Sequence, residues 1–160
     1  MELYLLRHGI AEDRALGGRD ADRRLTVEGK EKLRRVLRRA DAAEVRPSLI
    51  LSSALKRAVE TAELAAEELH YEGKIVRVDC LAPGSSPDDV WTEVRSRGAE
   101  RAILLAGHEP LFSATVAFLL GSNRAMVDFR KGALVRIDVE EIGKSPAGVL
   151  QWMITPKVAT

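Results

Sequence analysis

The sequence predicts an α/β protein: a three-layer α/β/α sandwich with a mostly parallel central sheet and an antiparallel C-terminal strand pair. Three observations point there. Short β-rich runs alternate with longer helical ones as far as Leu120, the pattern of helices laid on a parallel sheet. The runs "SLILSS" (48–53) and "RAILLAG" (101–107) are continuously apolar, as strands covered on both faces are. In the final third, two strand-like runs follow one another with only a glycine- and proline-bearing loop between them.

Residues 3–7 (LYLLR) form the first strand, and the polar, glycine-bearing run 14–24 reads as a loop. Thr26 caps a helix reaching about Ala43, with Leu33, Val36, Leu37 and Ala40 at helical spacing and Glu28 in the first turn. The pairs Arg34/Arg35 and Arg38/Arg39 lie mainly off that apolar stripe, and acidic residues are interspersed, so they mark a solvated face. After Pro47 comes the second strand (48–53), then a helix over 54–70 with Leu55, Val59, Ala62, Ala66 and Leu69 inward. "KIVRVDC" (74–80) alternates as a strand. Ser86 caps the next helix, with Pro87 at its first position and Asp89 three after the cap. The strand 101–107 leads through "HEP" into a helix over 110–120. "ALVRIDV" (133–139) and "VLQWMITP" (149–156) are the antiparallel pair, at or near a sheet edge.

The chain has 160 residues, enough for one core, and is read as a single domain over 1–160 with no repeat or linker. Lys plus Arg is 25 and Asp plus Glu is 24. That balance gives no reason to expect nucleic acid or an acidic membrane surface as partner. Any anion site must therefore be local. The lone Cys80 supports neither an internal disulfide nor a zinc cluster and reads as a half-buried strand residue. There is no basic start followed by an apolar stretch, and no apolar run nears the ~20 residues that span a bilayer. The expectation is a soluble cytoplasmic protein.

In open α/β sheets, ligands bind outside the carboxyl ends of the strands. Three strand ends here carry polar groups that core packing does not require: Arg7-His8-Gly9, then Ser52-Ser53 with Arg57 just inside the next helix, then Gly107-His108-Glu109. Taken singly, Arg57 reads as an exposed helical arginine, and a histidine after a strand as a loop residue bonded to backbone; His70 has that reading. Together, His8 and His108 occupy the same kind of position beside a glycine. Gly9 and Gly107 suit close backbone approach or a backbone conformation barred to other residues. Arg7 and His8 can share a pocket only if the strand breaks between or after them.

Two arginines and two histidines without a carboxylate cluster describe a phosphate site, because guanidinium forks match phosphate oxygens. The first turn of the helix after Ser53 offers free N–H groups to the same anion. No P-loop run and no metal-ligand spacing accompany them, so neither a metal nor another cofactor is implied.

"LRHG" at the first strand end, "SALKRAVETA" (53–62) and "GHEP" resemble the histidine phosphatase superfamily, which includes phosphoglycerate mutases and acid phosphatases. The compact length, "RRLTVEG" (23–29), "PGSSPDDV" (83–90) and "WMITP" (152–156) resemble its small phosphohistidine phosphatases of the SixA type. The likeness covers nearly the whole chain in the family's order. It implies that His8 takes the phosphoryl group and that Arg7, Arg57 and His108 bind its oxygens, all four in the catalytic set.

The chain also departs from the family pattern. Ala54 and Glu60 replace a proline and a glutamine, and Arg24 stands where a proline is common. Glu60, one turn along from Arg57, is close enough to steer it and is not counted as catalytic. The glutamate that mutase-like and many phosphatase members of the family carry shortly after the third strand, to protonate an alkoxide leaving group, is missing from "CLAPGSSP". Imidazole can leave already protonated, so the gap favours a phosphorus–nitrogen substrate; Glu12, Asp13 and Glu109 are the conceivable substitutes. The resemblance thus implies hydrolysis of protein phosphohistidine. The alternatives are a small phosphomonoester or nucleotide-derived phosphate handled the same way, and a non-catalytic phospho-ligand module. The oligomeric state is not written in these features.

Overall fold

Alternation along the strands sets the layers. The computed structural model describes residues 1–160, and its first strand, β1 (Glu2–Arg7), points Leu3 and Leu5 to one face and Tyr4 and Leu6 to the other. All four are fully buried. Burying each such side chain contributes roughly 1.5–3 kcal/mol, so β1 cannot slip by one residue without inverting both cores.

The chain continues through α1 (Val27–Ala42), β2 (Leu49–Ser52), α2 (Lys56–Glu68), β3 (Ile75–Arg77), α3 (Pro87–Ser96), β4 (Ala102–Gly107), α4 (Leu111–Leu119), β5 (Leu134–Val139) and β6 (Gly148–Ile154). One six-stranded sheet has the order β3-β2-β4-β1-β5-β6. The four strands β3, β2, β4 and β1 run parallel, while β5 and β6 are antiparallel and end at the sheet edge. Leu33, Val36 and Leu37 of α1 and Ala62 and Ala65 of α2 pack on the Tyr4/Leu6 face. Trp91 and Val94 of α3 and Phe112, Val116 and Leu119 of α4 cover the other. The expected three layers are present.

Local signals explain most boundaries. Thr26 accepts from Gly29 N at 2.9 Å and starts α1. Ser86 and Asp89 exchange hydrogen bonds in a capping box that starts α3, with Pro87 in its first turn. The arginine-rich face of α1 is solvated and cross-linked to α2, with Arg34 on Glu67 and Glu68 and Arg38 on Glu68.

Three boundaries differ from expectation. The run 74–80 is a strand only over Ile75–Arg77; Val78 N donates to Ser52 O, and the chain then turns through a 3₁₀ turn at Asp79–Leu81 to bury Leu81. Cys80 is therefore a half-buried turn residue, its thiol pushed up to about 11 chiefly by burial. Helix α2 starts at Lys56 because Ser53 Oγ accepts from Leu55 N at 3.3 Å and Leu55 stays extended. It ends at Glu68, with His70 exposed and in the left-handed region (φ 56°). Along α2, Ala58, Thr61, Leu64 and Ala65 join Val59, Ala62 and Leu69 in the interior, whereas Leu55 and Ala66 are only half-buried.

No helix is long and apolar enough to cross a membrane.

Candidate active site

Strand β1 is followed by α1 on one face of the sheet, and its neighbour β4 by α4 on the other. A crevice opens between the carboxyl ends of two such strands. Arg7 pairs with Gly107 in the β1–β4 register, and His8 N donates to Gly107 O at 3.0 Å. From the other side, Gly132 N donates to both Arg7 O and His8 O, at 3.1 and 3.0 Å. The strand thus ends after Arg7, as a shared pocket requires, and both neighbours still hold the chain. The imidazoles of His8 and His108 come to lie with ring centroids 5.2 Å apart at an interplanar angle of 55°.

Both glycines serve close packing, and neither has a positive φ. A methyl group on Gly107 would stand 2.7 Å from the Phe112 ring, and one on Gly9 3.3 Å from the Gly29 carbonyl oxygen. The left-handed alternative is excluded.

The tautomer of His8 follows from its partner. Its Nδ1 lies 2.8 Å from Gly9 O, and a carbonyl only accepts, so Nδ1 carries the proton and Nε2 keeps its lone pair. The imidazolium is pushed down to about 3. Burial is the largest cause, with His108, Arg57 and Arg7 adding to it, while the Gly9 carbonyl opposes. His8 is neutral at pH 7. His108 is likewise pushed down to about 4, by burial first and then Arg57, with Asp20 opposing and Arg7 adding a smaller push. Its Nε2 lies 2.8 Å from Ser53 Oγ. The hydroxyl can donate there, which leaves Nδ1–H to face an oxyanion.

Arg57 is 6% exposed, so the reading as a solvated helical arginine fails. It donates to Asp20 O at 3.1 Å and to Asp20 Oδ2 at 3.2 Å. Arg7 donates from Nη1 to Phe129 O at 2.7 Å; burial lowers its guanidinium from the ordinary value, with Glu109 and Asp128 opposing. Three buried polar atoms of this group, Arg7 Nε, Arg57 Nε and His108 Nδ1, have no partner within the protein. Leaving such a group unsatisfied costs about 1–3 kcal/mol, and N–H donors of this kind suit the oxygens of an anion. Two guanidinium groups and a histidine N–H beside a neutral imidazole are the groups that a phosphate clamp with an imidazole nucleophile would need.

The four residues singled out from the sequence thus meet in one place. Others join them that the sequence did not mark. Asp20, in a 3₁₀ turn (Asp20–Asp22) of the polar loop, pairs with Arg57 and Arg23. Its carboxyl is held below the usual range, first by the Arg23 hydrogen bond. Thr61 donates to Arg57 O at 2.7 Å and accepts from Gly9 N at 3.2 Å, which ties α2 to the loop after β1. A threonine inside a helix that bonds back to the fourth residue before it is a recognisable signal; nothing distinguished Asp20 among its acidic neighbours.

Glu60 does not steer Arg57. Its Oε2 accepts from Leu25 N at 2.7 Å and so anchors the approach to α1. Of the conceivable acids, Glu12 accepts from Arg24 N and Glu109 from Ser113 N, and Asp13 is exposed.

The profile of the histidine phosphatase superfamily (branch 1) matches residues 3–81. An uncharacterized protein of Picosynechococcus sp. is 34% identical over 139 residues, 84% of this chain and 83% of that one. The structure of the protein histidine phosphatase SixA complexed with tungstate superposes with a TM-score of 0.87 at 24% identity, over 98% of both chains. A mycobacterial glucosyl-3-phosphoglycerate phosphatase superposes with a TM-score of 0.71 at 19% identity, over 94% of this chain and 96% of that one. At such identities the two structures speak for the fold alone. Profile, relative, fold and the Arg7-His8-Arg57-His108 cluster agree, and the chain belongs to the histidine phosphatase superfamily.

Proposed function

We propose that the protein is a phosphatase for protein phosphohistidine, working through a phospho-His8 intermediate and needing no metal or other cofactor. The observation that carries the reading is the set of unpartnered buried atoms, Arg7 Nε, Arg57 Nε and His108 Nδ1, around a neutral His8.

In the first step the His8 Nε2 lone pair attacks phosphorus and the phosphorus–nitrogen bond of the substrate breaks. The departing imidazole keeps a proton on its other ring nitrogen and leaves neutral. Water then attacks phospho-His8, the new phosphorus–nitrogen bond breaks, and Nε2 recovers its lone pair. Charge on the transferring group is met by Arg7, Arg57 and His108, which is most of what phosphoryl transfer requires. The Gly9 carbonyl on Nδ1–H holds the ring so that the same nitrogen faces the substrate in each cycle.

The substrate class rests on the lack of a ready acid. An alkoxide leaving group needs a proton donor. Asp20, the carboxylate on Arg57, is held ionised by its hydrogen bond to Arg23, and Glu109 is engaged by Ser113 N. Imidazole needs neither.

The decisive experiment sets a phosphohistidine protein against sugar and nucleotide monoesters, with chelator present throughout. The expected result is preferred turnover of phosphohistidine, unaffected by chelator, with an acid-labile, base-stable phosphoenzyme that His8→Ala abolishes. Clear preference for the monoesters overturns the substrate class, and a need for divalent ions overturns the mechanism.

A further inference from the structure

Beside the phosphate clamp lies an open groove of about 1160 Å³ whose lining, Arg7 apart, the chemistry at His8 does not use. Arg7 lines it, and so do Lys32 and Arg35 of α1, Arg130 and Lys131 before β5, and Lys157 after β6. The acidic side chain in the lining is Asp128, paired with Arg130; Lys32 pairs with Glu28, and Thr160 O, also at the groove, accepts from Arg39. Arg35, Lys131 and Lys157 are exposed and engaged in no ion pair. In a chain with 25 basic and 24 acidic residues, this is a marked local segregation of charge.

We infer that this groove is the docking surface for an acidic face of the phosphorylated protein whose phosphohistidine enters the clamp, an inference that rests on the function proposed above. Three features favour a protein over a small substrate. The volume is more than ten times that of a phosphoryl group, whose share is on the order of tens of Å³ by comparison with the ≈ 30 Å³ of a water. Arg7 apart, the cations come from three chain segments far apart in the sequence: α1, the approach to β5 and the stretch after β6. Arg7 belongs to both sites, so a partner seated on Arg35, Lys131 and Lys157 delivers its phosphoryl group beside Arg7. Unpaired rim charges of this kind act mainly on encounter rate and partner choice, and their reach is about 8 Å at physiological salt.

The test uses the full chain and a triple variant, Arg35→Glu/Lys131→Glu/Lys157→Glu, together with the milder Arg35→Gln/Lys131→Gln/Lys157→Gln. These side chains are exposed and outside the phosphate clamp. Three substrates are compared: an acidic protein carrying phosphohistidine, a phosphohistidine peptide flanked only by alanine, and para-nitrophenyl phosphate. The expected outcome is a loss of about tenfold or more in kcat/KM for the acidic protein with the glutamate variant. The glutamine variant falls between it and wild type. Both small substrates keep kcat/KM within about twofold, and wild-type turnover of the acidic protein alone declines steeply with salt.

Equal turnover of the acidic protein by wild type and both variants overturns the docking surface while leaving the phosphohistidine reading intact. Turnover of para-nitrophenyl phosphate with neither phosphohistidine substrate accepted overturns both. A parallel loss on all three substrates shows that the groove belongs to the clamp or to the fold, and also overturns the proposal.

Discussion

The two imidazoles make the folded protein sensitive to acid in a window that can be calculated. An unfolded histidine takes up its proton near pH 6.5, whereas folded His8 and His108 resist until about 3 and about 4. Between these limits the unfolded chain binds more protons, so stability falls as pH falls. The loss begins near pH 6.5 and is complete below the folded values. At pH 5 each residue has cost about 2 kcal/mol relative to pH 7, because each unit below the unfolded value is worth about 1.4 kcal/mol. The pair together costs about 4 kcal/mol, a large part of a typical folding free energy of 5–15 kcal/mol. The assay is urea unfolding at both pH values for wild type and for His8→Asn/His108→Asn. The ionised carboxylates titrate in both proteins and cancel in the comparison. The double variant should lose about 4 kcal/mol less than wild type between pH 7 and pH 5, and each single variant about half that. If the double variant loses as much as wild type, the burial and charge argument for the site is wrong.

Two further predictions concern single contacts. Gly107→Ala forces a methyl group against Phe112 and should cost about 1–3 kcal/mol in denaturant unfolding, with much of it restored by adding Phe112→Leu; a neutral Gly107→Ala refutes the packing account. In the proposed site, Asp20 would compete with phosphate for Arg57 through a half-exposed ion pair worth up to about 1 kcal/mol. Asp20→Asn should therefore lower the inhibition constant of inorganic phosphate about three- to fivefold in a steady-state assay, and a rise would show that Asp20 assists binding.

What the sequence revealed, and what it hid, divides along physical lines. Strand and helix identity followed from continuous or periodic apolar runs, and the meeting of Arg7, His8, Arg57 and His108 from their places at or just after strand ends, because α/β topology brings strand ends together whatever lies between them. Long-range polar partners were not legible. Glu60 was assigned to Arg57, its neighbour along the helix, but serves Leu25 from a distant segment, and Asp20 reaches Arg57 from a loop with no periodicity to place it. Alternation in 74–80 suggested a full strand, yet burying Leu81 turned the chain early. The basic groove was invisible for a similar reason. Its cations lie on segments far apart in the chain, and an overall charge balance does not say where charge of one sign gathers.

The distribution of the clamp over the layers has one more consequence. Arg57 rides on α2, packed against one face of the sheet, while His108 opens into α4 on the opposite face. An oxyanion held by both is a non-covalent cross-link between the outer layers of the sandwich. Ligands that span the two will be felt by the whole fold, raising its unfolding free energy by about 2.7 kcal/mol at a hundredfold excess over Kd. Thermal upshift then becomes a screen for substrates that needs no turnover.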